Sequence, residues 1–383
     1  MTNFRVLVLS IIQNILTVLK GAIALGVFEN SILGQIDLYK TALSNLKNID
    51  FGISAWARSN YEHGDENILY RYIKFESLIL FVSGAFLLGI YSFIFKDYRF
   101  LFLLLLLPLQ HYSKFIRFLQ GSGGQLHKFL VKEVVGSFLG IILLFLYPSI
   151  LTYFMALAVV MLTTIFHLRK HFLNFLIVRM SDFEWPKLTF IKSSKFAVLS
   201  WTSLGFTFAE RYSWVKLIGF DEIGKSFLLI MALSLADGLG TNIAMRYYTF
   251  DLIRIKWVFI RGLLLSFLFY LGFLALLFFS DFEFFSSYQE NLVRLRIGLE
   301  LLPFYFFSGY IGFILTKHVG RAAIYISIFR TICLILLCVI IFTEHLSLDL
   351  IVFTRFLFVF PVIILSITLY SKILTNYSHY NHE

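Results

Sequence analysis

Phe75–Phe95 reads FESLILFVSGAFLLGIYSFIF, a run of 21 residues whose one charge is Glu76. Crossing the hydrocarbon core of a bilayer takes about 20 predominantly apolar residues, and only a helix satisfies each backbone N–H and C=O within such a segment. The stretch therefore predicts a membrane-spanning helix. Gly262–Ser280 and Ala322–Phe342 read the same way. Working outward, about twelve segments meet or approach this requirement, near 5–28, 31–57, 75–96, 99–119, 130–148, 150–168, 194–217, 222–246, 257–280, 296–316, 321–342 and 347–373. A composition of 59% hydrophobic and 15% charged residues lies outside the range of water-soluble domains and agrees with an all-α polytopic membrane protein.

The net charge of +10 does not point to nucleic acid, because Lys and Arg fall in short clusters between spans rather than on one basic arm. With the N-terminus inside, Arg58, Arg71, Lys74, Lys128, Lys132, Arg169, Lys170, Arg254, Lys256, Arg261, Lys317 and Arg321 occupy inner loops. The outer loops hold little beyond Lys96, Arg99 and Lys225. The positive-inside rule then places both termini in the cytoplasm and assigns the basic excess to topology and membrane-lipid headgroups. Met1–Phe28 lacks the simple apolar core of a cleavable signal, since Gln13, Asn14, Thr17 and Lys20 interrupt it.

Leu33-Gly34, Ala42-Leu43-Ser44 and Asp50-Phe-Gly recur as Ile223-Gly224, Ala232-Leu233-Ser234 and Asp237-Gly238, an offset of about 190 residues. The expected organisation is an N-terminal six-helix lobe over 1–173, a basic cytoplasmic linker over 174–193 and a C-terminal six-helix lobe over 194–383. The two lobes are expected to be related by a pseudo-two-fold axis.

Four spans carry polar groups along one face. On the second, Lys40, Ser44, Lys47, Ser54 and Arg58 follow helical spacing and fall on one line. On the first the row is Ser10, Gln13, Asn14, Thr17 and Lys20; on the seventh Ser203, Thr207 and Glu210, with Arg211 beside them; on the eighth Ser226, Ser234, Asp237 and Thr241. A Lys or Arg at the helix centre costs about 2.5–3.5 kcal/mol on insertion scales, so such a row faces water or a partner. Spans one and two match seven and eight, which predicts a hydrated cavity where the two halves meet. Its lining is expected to include Gln13, Thr17, Lys20, Lys40, Lys47, Arg58, Thr207 and Arg211 against Asp50, Glu210 and Asp237. The cationic balance concentrates anions, and phosphate or diphosphate is the expected partner. Asp50, Glu210 and Asp237 are the candidates for holding a coupling H⁺ or Na⁺. The competing expectation is that Glu210–Arg211 and Asp50–Lys47 neutralise each other inside a packed bundle and that Lys20 and Lys40 snorkel to an interface. No metal site or catalytic constellation emerges. His167 and His171 lack an acidic partner, and Cys333 and Cys338 point to different sides of one helix.

Leu33-Gly-Gln-Ile-Asp-Leu-Tyr39, Asp50-Phe-Gly-Ile-Ser-Ala-Trp-Ala-Arg58 and Glu62-His-Gly-Asp65 resemble the start of bacterial polysaccharide flippases, which export O-antigen and capsule repeat units. Glu210-Arg211, Leu217-Ile-Gly-Phe220 and Ile223-Gly224 resemble their seventh-span acidic–Arg pair and following Gly pattern. The resemblance implies the MATE-like fold of the multidrug/oligosaccharidyl-lipid/polysaccharide exporter superfamily: twelve helices, two lobes, a V-shaped cavity and alternating access. It implies an undecaprenyl-diphosphate-linked oligosaccharide as substrate, flipped across the bacterial inner membrane to the periplasmic leaflet. A glycan polymerase and a chain-length regulator are the implied protein partners, and no cofactor beyond the coupling ion. Departures are Glu210 where Asp is commoner, short loops and a total of five prolines. Two other classes stay in view. A drug-cation antiporter of the same fold calls for an acidic cavity, and a membrane glycan polymerase or ligase calls for a large outer loop, whereas the longest loop here is expected inside.

Overall fold

In the computed structural model the described residues are 2–46, 66–122, 126–167, 173, 177, 187–246, 255–279, 289–318, 322–343 and 349–380. Among them the regular structure is helical. The helices are α1 (Thr2–Val27), α2 (Asn30–Leu46), α3 (Glu66–Ile94), α4 (Leu103–Ser122), α5 (Leu126–Leu146), α6 (Ile150–His167) and α7 (Lys187–Leu217). Then follow α8 (Gly219–Lys225), α9 (Phe227–Arg246), α10 (Ile255–Phe279), α11 (Gln289–Ile297), α12 (Leu301–His318), α13 (Ala322–Thr343) and α14 (Leu350–Tyr380). The twelve expected spans fall on α1–α7, α9, α10 and α12–α14, with α8 and α11 as short additions. The third and seventh helices begin earlier than expected, at Glu66 and Lys187. The second half of the expected second span lies outside the described residues, as does most of the expected linker.

Among the described residues, length and composition alone qualify four stretches as membrane spans, 74–94, 127–146, 324–343 and 350–368, and a fifth if α8 and α9, bent by 56° at their break, make one span. Shorter apolar stretches lie in α1, α6, α10 and α12. Large apolar side chains point outward, Phe86 at 71%, Phe93 at 83% and Phe342 at 87% exposure. Polar groups meanwhile lie inside, with Glu76, Glu210, Arg211 and Thr354 all buried. This inversion of the water-soluble pattern suits lipid as solvent.

The chain divides into two compact units, Met1–Leu204 and Gly205–Glu383, the boundary falling within α7. In the first, α1 and α6 pack on α5, and α3 packs on α4. A Cβ added at Gly140 on α5 would sit 2.8 Å from the Ala156 carbonyl of α6, so the small residue sets that crossing. Tyr39, Tyr91, Phe95 and Phe100 pack edge-on and tilted against one another where α2, α3 and the short 3₁₀ turn Tyr98–Phe102 meet. Beside them the Asp97 carboxylate caps the turn through the Arg99 amide at 3.0 Å and accepts from the Arg99 guanidinium and the Tyr39 hydroxyl. Arg99 also donates to Gln35 of α2 at 3.1 Å.

In the second unit α9 lies along α12, with Leu229, Leu233, Ala236, Leu302, Tyr305 and Phe306 buried between the helices around them. Gly219, with φ of +81°, makes the break between α7 and α8, a backbone conformation that other residues adopt only with strain. Asn291 of α11, with its amide turned to donate, meets the carbonyls of Gly224 and Lys225 that the bend leaves without helical partners. Positions related by the repeat share their environments: Leu33 and Ile223, Gly34 and Gly224, Ala42 and Ala232, and Leu43 and Leu233 are buried, while Ser44 and Ser234 are exposed.

Candidate functional site

Two polar assemblies stand out, one in each unit. In the first unit they begin with α1, whose helical repeat stacks Gln13, Thr17 and Lys20. The Gln13 amide donates to the Ser137 hydroxyl of α5 at 3.0 Å, and that hydroxyl donates back at 3.2 Å. Gln13 thus ties two helices together, and the exposed Thr17 hydroxyl donates to the Gln13 carbonyl at 2.9 Å. One turn on, the half-buried Lys20 ammonium reaches α6, donating to the Tyr153 carbonyl at 3.4 Å and lying 4.1 Å from the centre of the Tyr153 ring. A carbonyl dipole and a π face are what a cation in a poorly hydrated site requires, and the ring contributes about 0.5–2 kcal/mol.

Lys40 of α2 is half-buried and stands within electrostatic reach of Lys20. Ser44, one turn further along α2, is exposed, and the face it shares with Lys40 is open. Lys47, Asp50 and Arg58, expected to continue this row, lie outside the described residues.

In the second unit Glu210 is completely buried and Arg211 nearly so. The Arg211 guanidinium donates to Glu210 at 2.9 Å and rests 4.0 Å from the Trp214 ring centre. From α14, Arg355 stands 3.6 Å from the other carboxylate oxygen and 5.1 Å from the same ring. Trp214 is held in turn by its indole N–H, which donates to Thr354 at 3.0 Å. Arg211 thus takes the arrangement of the competing expectation, its charge held on Glu210 and Trp214 within a packed interior, as a buried ion pair must be to offset desolvation. Thr207, one turn earlier on α7, is half-buried.

Asp237 occupies a different setting. It is half-buried at the middle of α9, and its backbone packs closely against Gly309 of α12. Arg330 of α13 and Arg355 of α14 are both within electrostatic reach of its carboxylate. A Cβ placed on the neighbouring Gly238 would meet nothing within 4 Å, and Ser234 one turn before is exposed. α9 is therefore open at Ser234 and Gly238, while the Asp237 carboxylate lies toward Gly309 of α12. The structure brings together Lys20 with Lys40, and Glu210 with Arg211. It adds Arg330, Arg355 and Tyr305, which the sequence reading passed over. Their signal was available, since Arg330 is the single charge of α13 and Arg355 stands inside a long apolar stretch of α14, where an ionisable group marks function by default. Among the described residues no group of three or more His, Cys, Asp or Glu assembles in a way that would hold a metal ion.

No family model and no curated protein matches the sequence. Solved structures do. An outward-facing multidrug resistance MATE family transporter of the MOP superfamily superposes with a TM-score of 0.62 over 96% of this chain and 94% of that one, at 16% identity. An inward-facing structure of a transporter described in the same terms gives 0.59 over 94% of each chain, at 15% identity. The chain has the MATE-like fold of a multi-pass membrane protein.

Proposed function

We propose that this chain is a flippase that carries an undecaprenyl-diphosphate-linked oligosaccharide, an O-antigen or capsule repeat unit, from the cytoplasmic to the periplasmic leaflet of the bacterial inner membrane by alternating access. Both termini are cytoplasmic in this reading. The fold of its structural neighbours, both described as transporters, supports a transport rather than a catalytic role. The observation that carries the anionic substrate is the half-buried Lys20 ammonium of α1, held on Tyr153 and within electrostatic reach of Lys40. Cationic groups at that level favour a diphosphate, whose oxygens carry the opposite charge. By helical spacing in the sequence, Lys47 and Arg58 would extend the cationic row toward the cytoplasmic end. Coupling to H⁺ or Na⁺ falls to Asp237 and Asp50 more readily than to Glu210, whose carboxylate is engaged by two guanidinium groups. A glycan polymerase and a chain-length regulator are the proposed partners.

The test is a strain that depends on this chain for its surface glycan. Lys20→Gln and Lys40→Gln, inserted at normal levels, are expected to lose most surface glycan and to accumulate lipid-linked repeat units on the cytoplasmic leaflet. Unchanged glycan in the double variant overturns the proposal.

A second reading, export of organic cations in exchange for H⁺ or Na⁺, draws on the description of both structural neighbours as multidrug resistance transporters and on the half-buried Asp237. It predicts that Asp237→Asn raises sensitivity to cationic dyes while Lys20→Gln does not.

A further inference from the structure

Glu76 of α3 and His111 of α4 meet in the interior of the first unit, their side chains 1% and 7% exposed. Glu76 belongs to the stretch 74–94 that qualifies as a membrane span, and His111 to the expected span over 99–119. The His111 Nε2 stands 3.3 Å from a Glu76 carboxylate oxygen, within ion-pair distance, yet among the described residues it has no hydrogen-bond partner. Glu76 has a further interaction besides this one, so the carboxylate is not held by the histidine alone. Histidine changes charge between about pH 5 and 8, and ionisable groups inside spans mark ion or proton paths by default. One added proton turns a neutral ring beside a carboxylate into an imidazolium that donates to it, through a bond roughly twice as strong as a neutral one.

The backbone beside His111 is suited to respond. Pro108 lies inside α4 one turn before His111 and has no N–H to give to the Leu104 carbonyl, which weakens the helix there. Leu104 and Leu107 lie over Gly84 of α3, where an added Cβ would stand 2.5 Å from the Leu107 side chain. The two helices are thus in close contact before the proline, and the Glu76–His111 approach lies beyond it. A change of bend at Pro108 alters that approach and leaves the Gly84 crossing in place.

We propose that Glu76 and His111 form a proton-binding site of the first unit, and that H⁺ bound there sets the bend of α4 at Pro108 during transport. The role in transport rests on the flippase reading; the binding of the proton does not. Other described ionisable groups on the elements packed around this seam are Tyr70, Arg71, Lys74 and Tyr91 of α3, Tyr112 of α4, Asp37, Tyr39 and Lys40 of α2, His127, Lys128, Lys132 and Glu133 of α5, and Tyr153 of α6. Asp97, Tyr98 and Arg99 close the opposite end of α3. Any of these adds to a bulk pH response, and only the state of the His111 ring reports on the pair.

The experiment follows the imidazole resonances of the full chain, purified in detergent with isotope-labelled histidine, between about pH 8 and 5. The His111 signal is the one missing from His111→Gln, or from His111→Asn where the first variant does not insert. It is expected to pass from the neutral to the protonated form across this range. Glu76→Gln is expected to weaken proton binding by the ring about tenfold, and Glu76→Asp, which keeps the charge but draws it back, about threefold. The Asp variant serves where Glu76→Gln does not purify. A ring that keeps one state throughout, or one that titrates alike in the wild type and the Glu76 variant, overturns the site. In the strain that depends on this chain for its surface glycan, His111→Gln or His111→Asn at normal abundance is expected to lose most of that glycan. Normal glycan overturns the part played in transport. Unchanged glycan in the Lys20→Gln, Lys40→Gln double variant overturns the flippase reading, yet leaves a titrating His111 ring, and with it the proton site, standing.

Discussion

Gly309 lies so close to Asp237 that a Cβ at position 309 would stand 2.3 Å from the Asp237 carbonyl oxygen and 2.9 Å from a carboxylate oxygen. The same crossing brings Gly240 against Phe306, where a Cβ would stand 2.1 Å from the carbonyl. Backbone lies on both sides, so no rotamer change relieves the clash. Gly309→Ala must push α12 from α9, and overpacking of this kind costs about 1–3 kcal/mol. The Thr241 hydroxyl, which donates to the Gly309 carbonyl at 3.3 Å, loses that contact as well. A melting midpoint several degrees lower in detergent is expected for Gly309→Ala, and none for Gly238→Ala, where the added methyl enters open space. Equal midpoints for the two variants would show that the α9–α12 approach is not set by glycine.

Arg211 and Glu210 neutralise each other in a buried pair, the competing arrangement that the sequence offered. Removing one member of a buried pair leaves an uncompensated charge, at a cost of about 3–5 kcal/mol. Arg211→Ala is therefore expected to fall in membrane abundance rather than to insert normally and fail in transport. Trp214 loses the guanidinium on its face at the same time. Replacing both partners by apolar groups, Glu210→Leu with Arg211→Met, is expected to recover part of the abundance. Normal abundance in Arg211→Ala would return Arg211 to the list of exposed cations.

How much could be seen in advance follows from which forces act locally. The helices were legible because a bilayer demands long apolar runs, and Phe75–Phe95 or Ala322–Phe342 can be little else. The open faces at Ser44 and Ser234 were legible through helical spacing. Spacing says which residues share a face, but not what packs on it. Gln13 is expected from spacing to line a cavity, and its amide is bonded to Ser137, a residue 124 positions away. Arg211 and Glu210, neighbours in sequence, point to no common side by periodicity, yet their long side chains curl together over Trp214. Arg330 and Arg355 were overlooked because neither has a polar neighbour at i+4 or i+7 to form a row.

Arg294 of α11 bridges Glu222 of α8 and Asp349, the residue that caps α14 by accepting from the Ile351 amide at 3.0 Å. Lys225 adds contacts to Asp221 at 3.1 Å and Glu222 at 2.9 Å. The cluster holds the short α8 in its bent approach to α9. Because Arg294 and Glu222 are each a third exposed, water and salt screen the pairs, and a coupling of about 0.5–1 kcal/mol is the appropriate scale. Arg294→Gln should speed hydrogen exchange of the α8 amides, and the difference should shrink in molar salt. A double-mutant cycle with Glu222→Gln that proves additive would mean the two residues do not act on each other.

Asp97 and Arg99 make the corresponding connection after α3. Partial burial pushes the Asp97 carboxyl up, but hydrogen bonds from the Arg99 side chain, Tyr39 and the Arg99 backbone outweigh it and hold the group below the usual carboxylate range. A carboxylate whose folded pKa is depressed adds stability that is complete above its unfolded value and is lost as pH falls through the folded one. The turn over Tyr98–Phe102 should accordingly weaken in acid, below the pH at which an ordinary aspartate titrates. The effect is modest, since the Arg99 side chain is half exposed and the pair is screened. Asp97→Asn removes the titrating group, so the wild type and the variant should converge in stability as pH drops and separate again near neutrality. A stability gap between them that stays constant from neutral to strongly acid pH would show that the Asp97 charge contributes nothing to holding the turn.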